Sequence, residues 1–258
     1  MTPNLKSQTS KMNTIHTRRS IRKYTDKEVS DQLLNQLLSD ASRTQTMGNL
    51  QLYSVVVTRS QEMKERLAPA HFNQPMVTEA PVVLTVCADF NRTTQWALCR
   101  QADPGYDNLL SFLNAATDAL LYTQTFCNLA EDAGLGLCFL GTTIYMPQQI
   151  IDTLHLPRLT FPVATITLGW PAEEPPLTDR LDLPAFVHRE TYHDYTPQDI
   201  DRHYTTKEQL PENQHFVELN HKDTLAQVFT DLRYTRKDNE ALSATLLDAL
   251  RHQGFISQ

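Results

Sequence analysis

Near the start of an acidic chain, Arg18-Arg19-Ser20-Ile21-Arg22-Lys23-Tyr24 sets four cations and a serine hydroxyl beside apolar Ile21. A guanidinium is a fixed fork of N–H donors that matches phosphate oxygens two at a time, so arginines gathered with a serine suit a phosphate clamp. The same heptapeptide also fits a solvated basic edge beside a helix start. A second stretch, Gly134-Leu135-Gly136, offers a G-x-G element. A dinucleotide loop follows a strand and opens a helix, whereas this one follows a helical pattern and enters the apolar run Leu137-Cys138-Phe139-Leu140. That order excludes a Rossmann reading.

The bulk properties narrow the partners. With 258 residues, 40% of them hydrophobic and 21% charged, the chain can bury a substantial core. A formal charge of −7 opposes a general nucleic-acid or anionic-membrane surface, so the basic heptapeptide reads as local and suited to a small anion. Cys87, Cys99, Cys127 and Cys138 include no C-x-x-C pair and read as reduced, mostly buried thiols. The histidines show no metal-ligand spacing, so no metal site is expected. Residues 1–14 are polar and expected to fray, and the first twenty residues contain no apolar core of a secretory signal. The apolar runs are strand-length, too short to span a membrane, which leaves a cytoplasmic protein as the expectation.

The elements that must position these residues follow from periodicity. Ser30 can cap a helix carrying Leu33, Leu34, Leu37 and Leu38 as far as Ala41. The turn-rich segment 42–49 leads into a β-branched strand over 50–58, residues 60–68 suggest a short helix, and Pro81 to Ala88 reads as a fully buried strand. After the mixed stretch 90–106, Asp107 or Asn108 caps a long helix whose apolar stripe is Leu109, Leu113, Ala116, Leu120, Cys127 and Ala130, ended by Gly134. Asp118 and Gln124 within it read as satisfied polar groups at an interface, and its small residues allow close approach or self-association. Pro147 opens a short helix, 161–170 is a strand, and Pro171 to Pro184 an extended loop. Thr196-Pro197 begins another helix, and a last one runs from about Asp238 to His252. Few strands, irregularly spaced, predict an α+β protein: a central, mainly antiparallel sheet wrapped by helices.

The order R-R-S-I-R, then T-x-G-N-x-Q at Thr46 to Gln51, then A-x-x-x-G-L-G from Ala130, resembles the FMN-dependent nitroreductase family. Cys87 to Arg92, Leu168 to Ala172 with Arg180, and Val187 to Tyr192 are similar to its oxygen-insensitive, NADPH-preferring nitroreductase and flavin reductase branch. The resemblance spans roughly residues 15–257 and rests on the order and spacing of motifs together.

The resemblance implies a single domain over 1–258, an intertwined homodimer, and a C-terminal arm, residues 190–258, that embraces the partner. It assigns Arg18, Arg19, Ser20 and Arg22 to the phosphate and pyrimidine end of FMN. Thr46, Met47, Gly48 and Gln51 would reach the flavin from the partner subunit. Gln74 would lie near the polar edge of the ring, the backbone of Leu140, Gly141 and Thr142 near flavin N5, and Arg180 on the phosphate side. Arg236 and Lys237 match a loop that grips the 2′-phosphate of NADPH. Two departures stand out: Thr178 replaces a family lysine, and Asn239-Glu240-Ala241 replaces further arginines, which leaves NADPH over NADH as a lean, with either as the donor. The implied reaction is ping-pong hydride transfer from NAD(P)H through the flavin to nitroaromatics, quinones or free flavin, with no catalytic side chain, since the cofactor carries the chemistry. A dedicated flavin or ferric reductase, and a non-catalytic flavin-binding protein, are the alternatives.

Overall fold

The computed structural model describes residues 14–256. The expectations of a frayed, signal-free N-terminus fall largely on residues 1–13, outside the described residues. The chain divides into two compact units: one is Leu177–Ala241, the other holds the chain up to Pro176 and again from Leu242. The helices in chain order are α1 (Thr14–Thr17), α2 (Asp31–Ala41), α3 (Gln61–Leu67), α4 (Pro75–Glu79), α5 (Asn91–Leu98), α6 (Leu109–Asp132), α7 (Pro147–Leu154), α8 (Pro197–Glu208), α9 (Pro211–Leu219), α10 (Leu225–Gln227) and α11 (Arg236–His252). Among the described residues, none is long and apolar enough to cross a membrane.

The larger unit is built on a four-stranded sheet: β1 (Tyr53–Thr58), β2 (Val82–Asp89), β3 (Gly136–Leu140) and β4 (Thr160–Gly169). Its order is β1-β2-β4-β3 and every pairing is antiparallel, the α+β arrangement expected. The central strands β2 and β4 are buried along their whole length, which explains why they read as continuous apolar runs and not as alternating ones. β3 carries two cores. Leu137 belongs with Val82, Leu84, Phe126 and Phe161, whereas Cys138 and Leu140 join Leu67, Met76, Val77 and Ile150. Successive side chains on a strand face opposite ways, so the two cores lie on opposite faces of the sheet.

Helix starts follow the local chemistry expected of them. Ser30 Oγ accepts the Leu33 N–H at 3.3 Å, and Asn108 Oδ1 accepts the Ser111 N–H at 3.0 Å. The buried face of α6, however, differs from the stripe drawn by its leucines. Ala115, Asp118, Ala119, Tyr122, Phe126, Cys127 and Ala130 are buried, while Leu109, Leu110, Leu113, Leu120 and Leu121 are 41–68% exposed. Small residues let α6 lie close on the sheet, with Tyr122 stacked on Tyr53 at 4.3 Å between ring centres and its hydroxyl donating to Leu38 O. The leucines form an apolar face that stays exposed among the described residues.

Residues 21–25 meet Leu137 on the outer side of β3 and then pair with Trp170 to Ala172, the stretch that follows β4. The Ile21 N–H donates to Leu137 O and the Thr25 N–H to Trp170 O, both at 2.9 Å, and the Ala172 N–H donates to Lys23 O at 3.0 Å. Two glycines permit this approach. A Cβ on Gly136 would stand 2.8 Å from Ile21 Cβ, and one on Gly169 would stand 2.7 Å from Pro81 Cδ and 2.8 Å from Tyr24 Cδ1. Ile21 is buried and Tyr24 donates to Ile21 O at 2.8 Å, so both serve packing.

The smaller unit is helical. Thr196 and Asp199 form a capping box on α8, with Pro197 in the first turn. α10 continues into a π-helical turn, Val228–Arg233. Many of the unit's large apolar side chains are exposed, Leu183, Phe186, Tyr192 and Leu219 among them. Helix α9 and, in the larger unit, α5 escape detection in the sequence. In α5, Trp96 and Leu98 are exposed, so no apolar stripe marks the element.

Candidate functional site

The basic heptapeptide borders a cleft of about 470 Å³ with Glu131, Gly134, Pro171 and Glu174 on its walls. Three carboxylates organise it. Arg18 Nε lies 3.4 Å from Glu131 Oε1, and burial raises the Glu131 carboxyl above its ordinary range while Arg18 opposes that shift. Glu173 Oε1 accepts the backbone N–H groups of Arg22 (2.7 Å) and Lys23 (3.2 Å), fixing the strand register. Arg19 pairs at 3.3 Å with Glu174, whose side chain is largely exposed, and donates to Thr17 O at 3.3 Å. Its Nε is buried and has no hydrogen-bond partner among the described residues. A guanidinium whose inner N–H is unanswered and whose outer partner is solvent-exposed retains capacity for an anion. Burial pushes the Cys138 thiol up, and the nearby Arg22 charge partly restrains that rise.

The far end of β3 supplies the second group. Leu140 is buried, whereas Gly141 is exposed and a Cβ there would meet no atom within 4 Å. This glycine therefore leaves open space beside the backbone, room for a flat ring to lie against it. Thr142 is half-buried, its Oγ1 2.9 Å from His71 Nδ1. His71 is fully buried, and desolvation lowers its pKa to about 4, so the imidazole is neutral near pH 7. Phe72 and Asn73 take left-handed conformations (φ 54° and 53°) and lead to Gln74, which caps α4. The structure thus sets the Gln74 turn and the Gly141 segment side by side through His71 and Thr142. Sequence reasoning missed His71, since a lone histidine in A-H-F-N carries no motif.

The turn Thr46–Gln51 stands elsewhere. It is pinned by Asp118, whose Oδ1 accepts the Met47 N–H at 2.9 Å and whose Oδ2 accepts the Thr46 hydroxyl at 2.5 Å and the Leu52 N–H at 3.1 Å. Thr46 Oγ1 accepts the Gln51 N–H at 2.8 Å. Gly48, Asn49 and Gln51 all have left-handed φ of 52–56°, a strained run that the carboxylate holds in place. Asp118 is the satisfied polar group expected of it. The turn leads into β1, on the sheet edge opposite β3. Val56, Thr85, Thr165 and Leu140 share one row across the sheet, so β1 and β3 stand three strand spacings, roughly 14 Å, apart. Within one chain the turn is therefore separated from the Gly141 group by the width of the sheet.

In the smaller unit, Arg180 donates to Thr178 Oγ1 (2.8 Å) and to Asp179 O (2.7 Å). The residue in the lysine position thus holds the arginine's guanidinium. Arg236 is exposed and lies 3.9 Å from Glu240, while Thr235 and Asp238 cap the start of α11. Lys237 is exposed beside them, on an open hollow that Asp231 also borders.

These features can be set against known proteins. The family model described as the nitroreductase family matches residues 15–170. An FMN reductase [NAD(P)H] of Bacillus subtilis is 34% identical over 177 residues, 67% of this chain and 71% of that protein. An oxygen-insensitive NADPH nitroreductase of Salmonella typhimurium is 32% identical over 174 residues, with the same coverage. A solved oxidoreductase structure from Bacteroides fragilis superimposes with a TM-score of 0.94 at 61% identity, covering 95% of this chain and all of that one. The matched segment contains the arginines of the cleft, the Asp118-pinned turn and the Gly141 edge, and the chain belongs to the nitroreductase family.

Proposed function

We propose that this chain is an FMN-dependent NAD(P)H oxidoreductase working as a homodimer with a shared site. The observation that carries the reading is the pairing, along one strand, of an arginine cleft containing an unanswered guanidinium N–H with an open glycine edge. Relatives bearing the names FMN reductase and NADPH nitroreductase support it. Arg19, Ser20 and Arg22 would hold the phosphate and the ring's polar end, Arg18 being set by Glu131, and Arg180 would add to the phosphate side. Gln74 would donate at the pyrimidine edge, and Leu140–Thr142 would back the ring. When bound, FMN supplies the redox chemistry, taking hydride from a nicotinamide and passing two electrons to a planar oxidant. The protein's part is to bind, orient and keep one ring face open.

The separation of the Thr46–Gln51 turn from the Gly141 edge supports the dimer. A turn on the opposite sheet edge contributes to such a site when a second copy brings it there. The uncovered leucines of α6 and the exposed apolar side chains of the smaller unit are the surface such a partner would bury, with residues 190–258 as the embracing arm. On the donor side, Arg236 and Lys237 would face a 2′-phosphate, but Glu240 beside Arg236 offsets part of their charge, so the preference for NADPH over NADH is expected to be weak.

The test is a visible spectrum of the purified protein, followed by anaerobic titration with each nicotinamide. A yellow protein that bleaches is expected. One that binds FMN but never bleaches would be a flavin-binding protein, and one that takes up no FMN would overturn the reading altogether. Rates with free FMN against a nitrofuran then separate a dedicated flavin reductase from a nitroreductase, and sedimentation as a monomer at micromolar concentration would remove the shared site.

A further inference from the structure

The contact between His71 and Thr142 has a direction that the structure helps to assign. Neutral imidazole carries its proton on Nδ1 or on Nε2. Nε2 is buried and has no hydrogen-bond partner among the described residues, and Nδ1 lies 2.9 Å from Thr142 Oγ1. With the proton on Nε2, a buried donor would have no acceptor, and the Thr142 hydroxyl would spend its single proton on Nδ1. With the proton on Nδ1, only an acceptor lone pair is left unanswered, which folded proteins tolerate more readily than an orphaned N–H. The doubly protonated ring is excluded near neutral pH because a cation in this pocket would be uncompensated.

We propose that His71 is a positioning residue whose Nδ1–H donates to the Thr142 hydroxyl oxygen, leaving the Thr142 O–H as a donor for a ring acceptor lying against Gly141. The ligand side of this proposal rests on the flavin reading above. Thr142 is half-buried and directly follows Gly141, where a Cβ would meet no atom within 4 Å, so its hydroxyl belongs to the segment proposed to back the ring. His71 also belongs to the turn that ends in Gln74, whose N–H donates to His71 O at 3.2 Å. One buried side chain thus sets two ligand-facing segments relative to each other. Phe72 and Asn73 hold left-handed conformations between them, strain that persists only where the surroundings fix it.

Two measurements test this. Long-range ¹H–¹⁵N NMR of the cofactor-free protein should show His71 neutral at pH 7 with its proton on Nδ1; a proton on Nε2 overturns the assignment, whatever the protein binds. Quenching of FMN fluorescence then reads the donor. Thr142→Val should weaken FMN binding about three- to tenfold, the loss of one neutral hydrogen bond, and Thr142→Ser should restore it. His71→Phe should weaken binding in the Thr142 background and have little further effect in the Thr142→Val background, because its influence passes through that hydroxyl. His71→Gln, which retains an amide donor, should bind nearly as wild type and serves if His71→Phe does not fold. Additive losses, or wild-type affinity in Thr142→Val, overturn the proposal. A wild-type protein that takes up no FMN instead overturns the flavin reading, while the tautomer still decides the His71–Thr142 pair.

Discussion

Replacing Asp118 by Asn changes one atom and keeps the shape of the side chain, so its effect measures what the charge and the second acceptor oxygen contribute. Asp118 is 2% exposed and receives three hydrogen bonds, from the Met47 N–H, the Thr46 hydroxyl and the Leu52 N–H. An asparagine can accept with its one oxygen from Met47, and Thr46 can rotate its hydroxyl to accept from the new NH₂. The Leu52 N–H, fully buried, then faces a donor and has no partner. A hydrogen bond to a charged group contributes about 1.5–3 kcal/mol, and an orphaned buried donor costs about 1–3 kcal/mol. Because these overlap for the same N–H, the net loss should be about 3 kcal/mol. For a chain of this size that lowers Tm by roughly 6–12 °C. Circular dichroism on heating reads the global effect, and amide hydrogen exchange reads the local one. Protection at Met47 and Leu52 should fall first, since the left-handed run at Gly48, Asn49 and Gln51 then loses its restraint. A variant with unchanged Tm and unchanged exchange at those two amides would refute the assignment of Asp118 as the pin of this turn.

Three other outcomes are expected. The buried His71, at about 4 in the folded chain against 6.5 when unfolded, makes the unfolded state the better proton binder between those values; stability is complete above pH 6.5 and falls by about 3 kcal/mol as pH drops toward 4, so urea midpoints should decline over that window and flatten in His71→Gln. Arg19→Ala should weaken FMN binding roughly ten- to a hundredfold through loss of one charge-assisted pair, and full yellow occupancy after dialysis would contradict the clamp. Gly136→Ala forces a Cβ to within 2.8 Å of Ile21, so it should destabilise by about 1–3 kcal/mol and loosen the arginine segment; unchanged urea unfolding and unchanged FMN affinity would show that the strand accommodates it without cost.

The readable parts of this protein were those whose physics is local. β2 and β4 announced themselves as apolar runs because both their faces are covered, and Ser30, Asn108 and Thr196 marked helix starts because capping needs only the next turn. The leucines of α6 misled for a related reason. Periodicity reports that a helix has an apolar face, but not whether the chain itself covers it, and here Ala115, Ala119 and Phe126 took the sheet. The arginines were legible as a group, whereas their individual partners were not. Glu131 sits at the end of a distant helix, and Glu173 serves backbone donors that no side-chain pattern reveals. His71 was invisible because its role depends on Thr142, which β3 brings to it.

The strap formed by residues 21–25 also bears on how the protein comes into being. Its hydrogen bonds go to Leu137 and Trp170, so the segment leaves the ribosome early and its seat is made late. Until then the arginines have nothing to organise them, and the Leu137 carbonyl on the outer side of β3 and the Trp170 carbonyl after β4 wait for the strap to reach them. A bare strand edge is a template for pairing with another chain. The residues proposed to anchor the cofactor therefore double as the guard of that edge. Damage to the segment should be felt as poor recovery of soluble protein during synthesis, before any loss of colour could be measured.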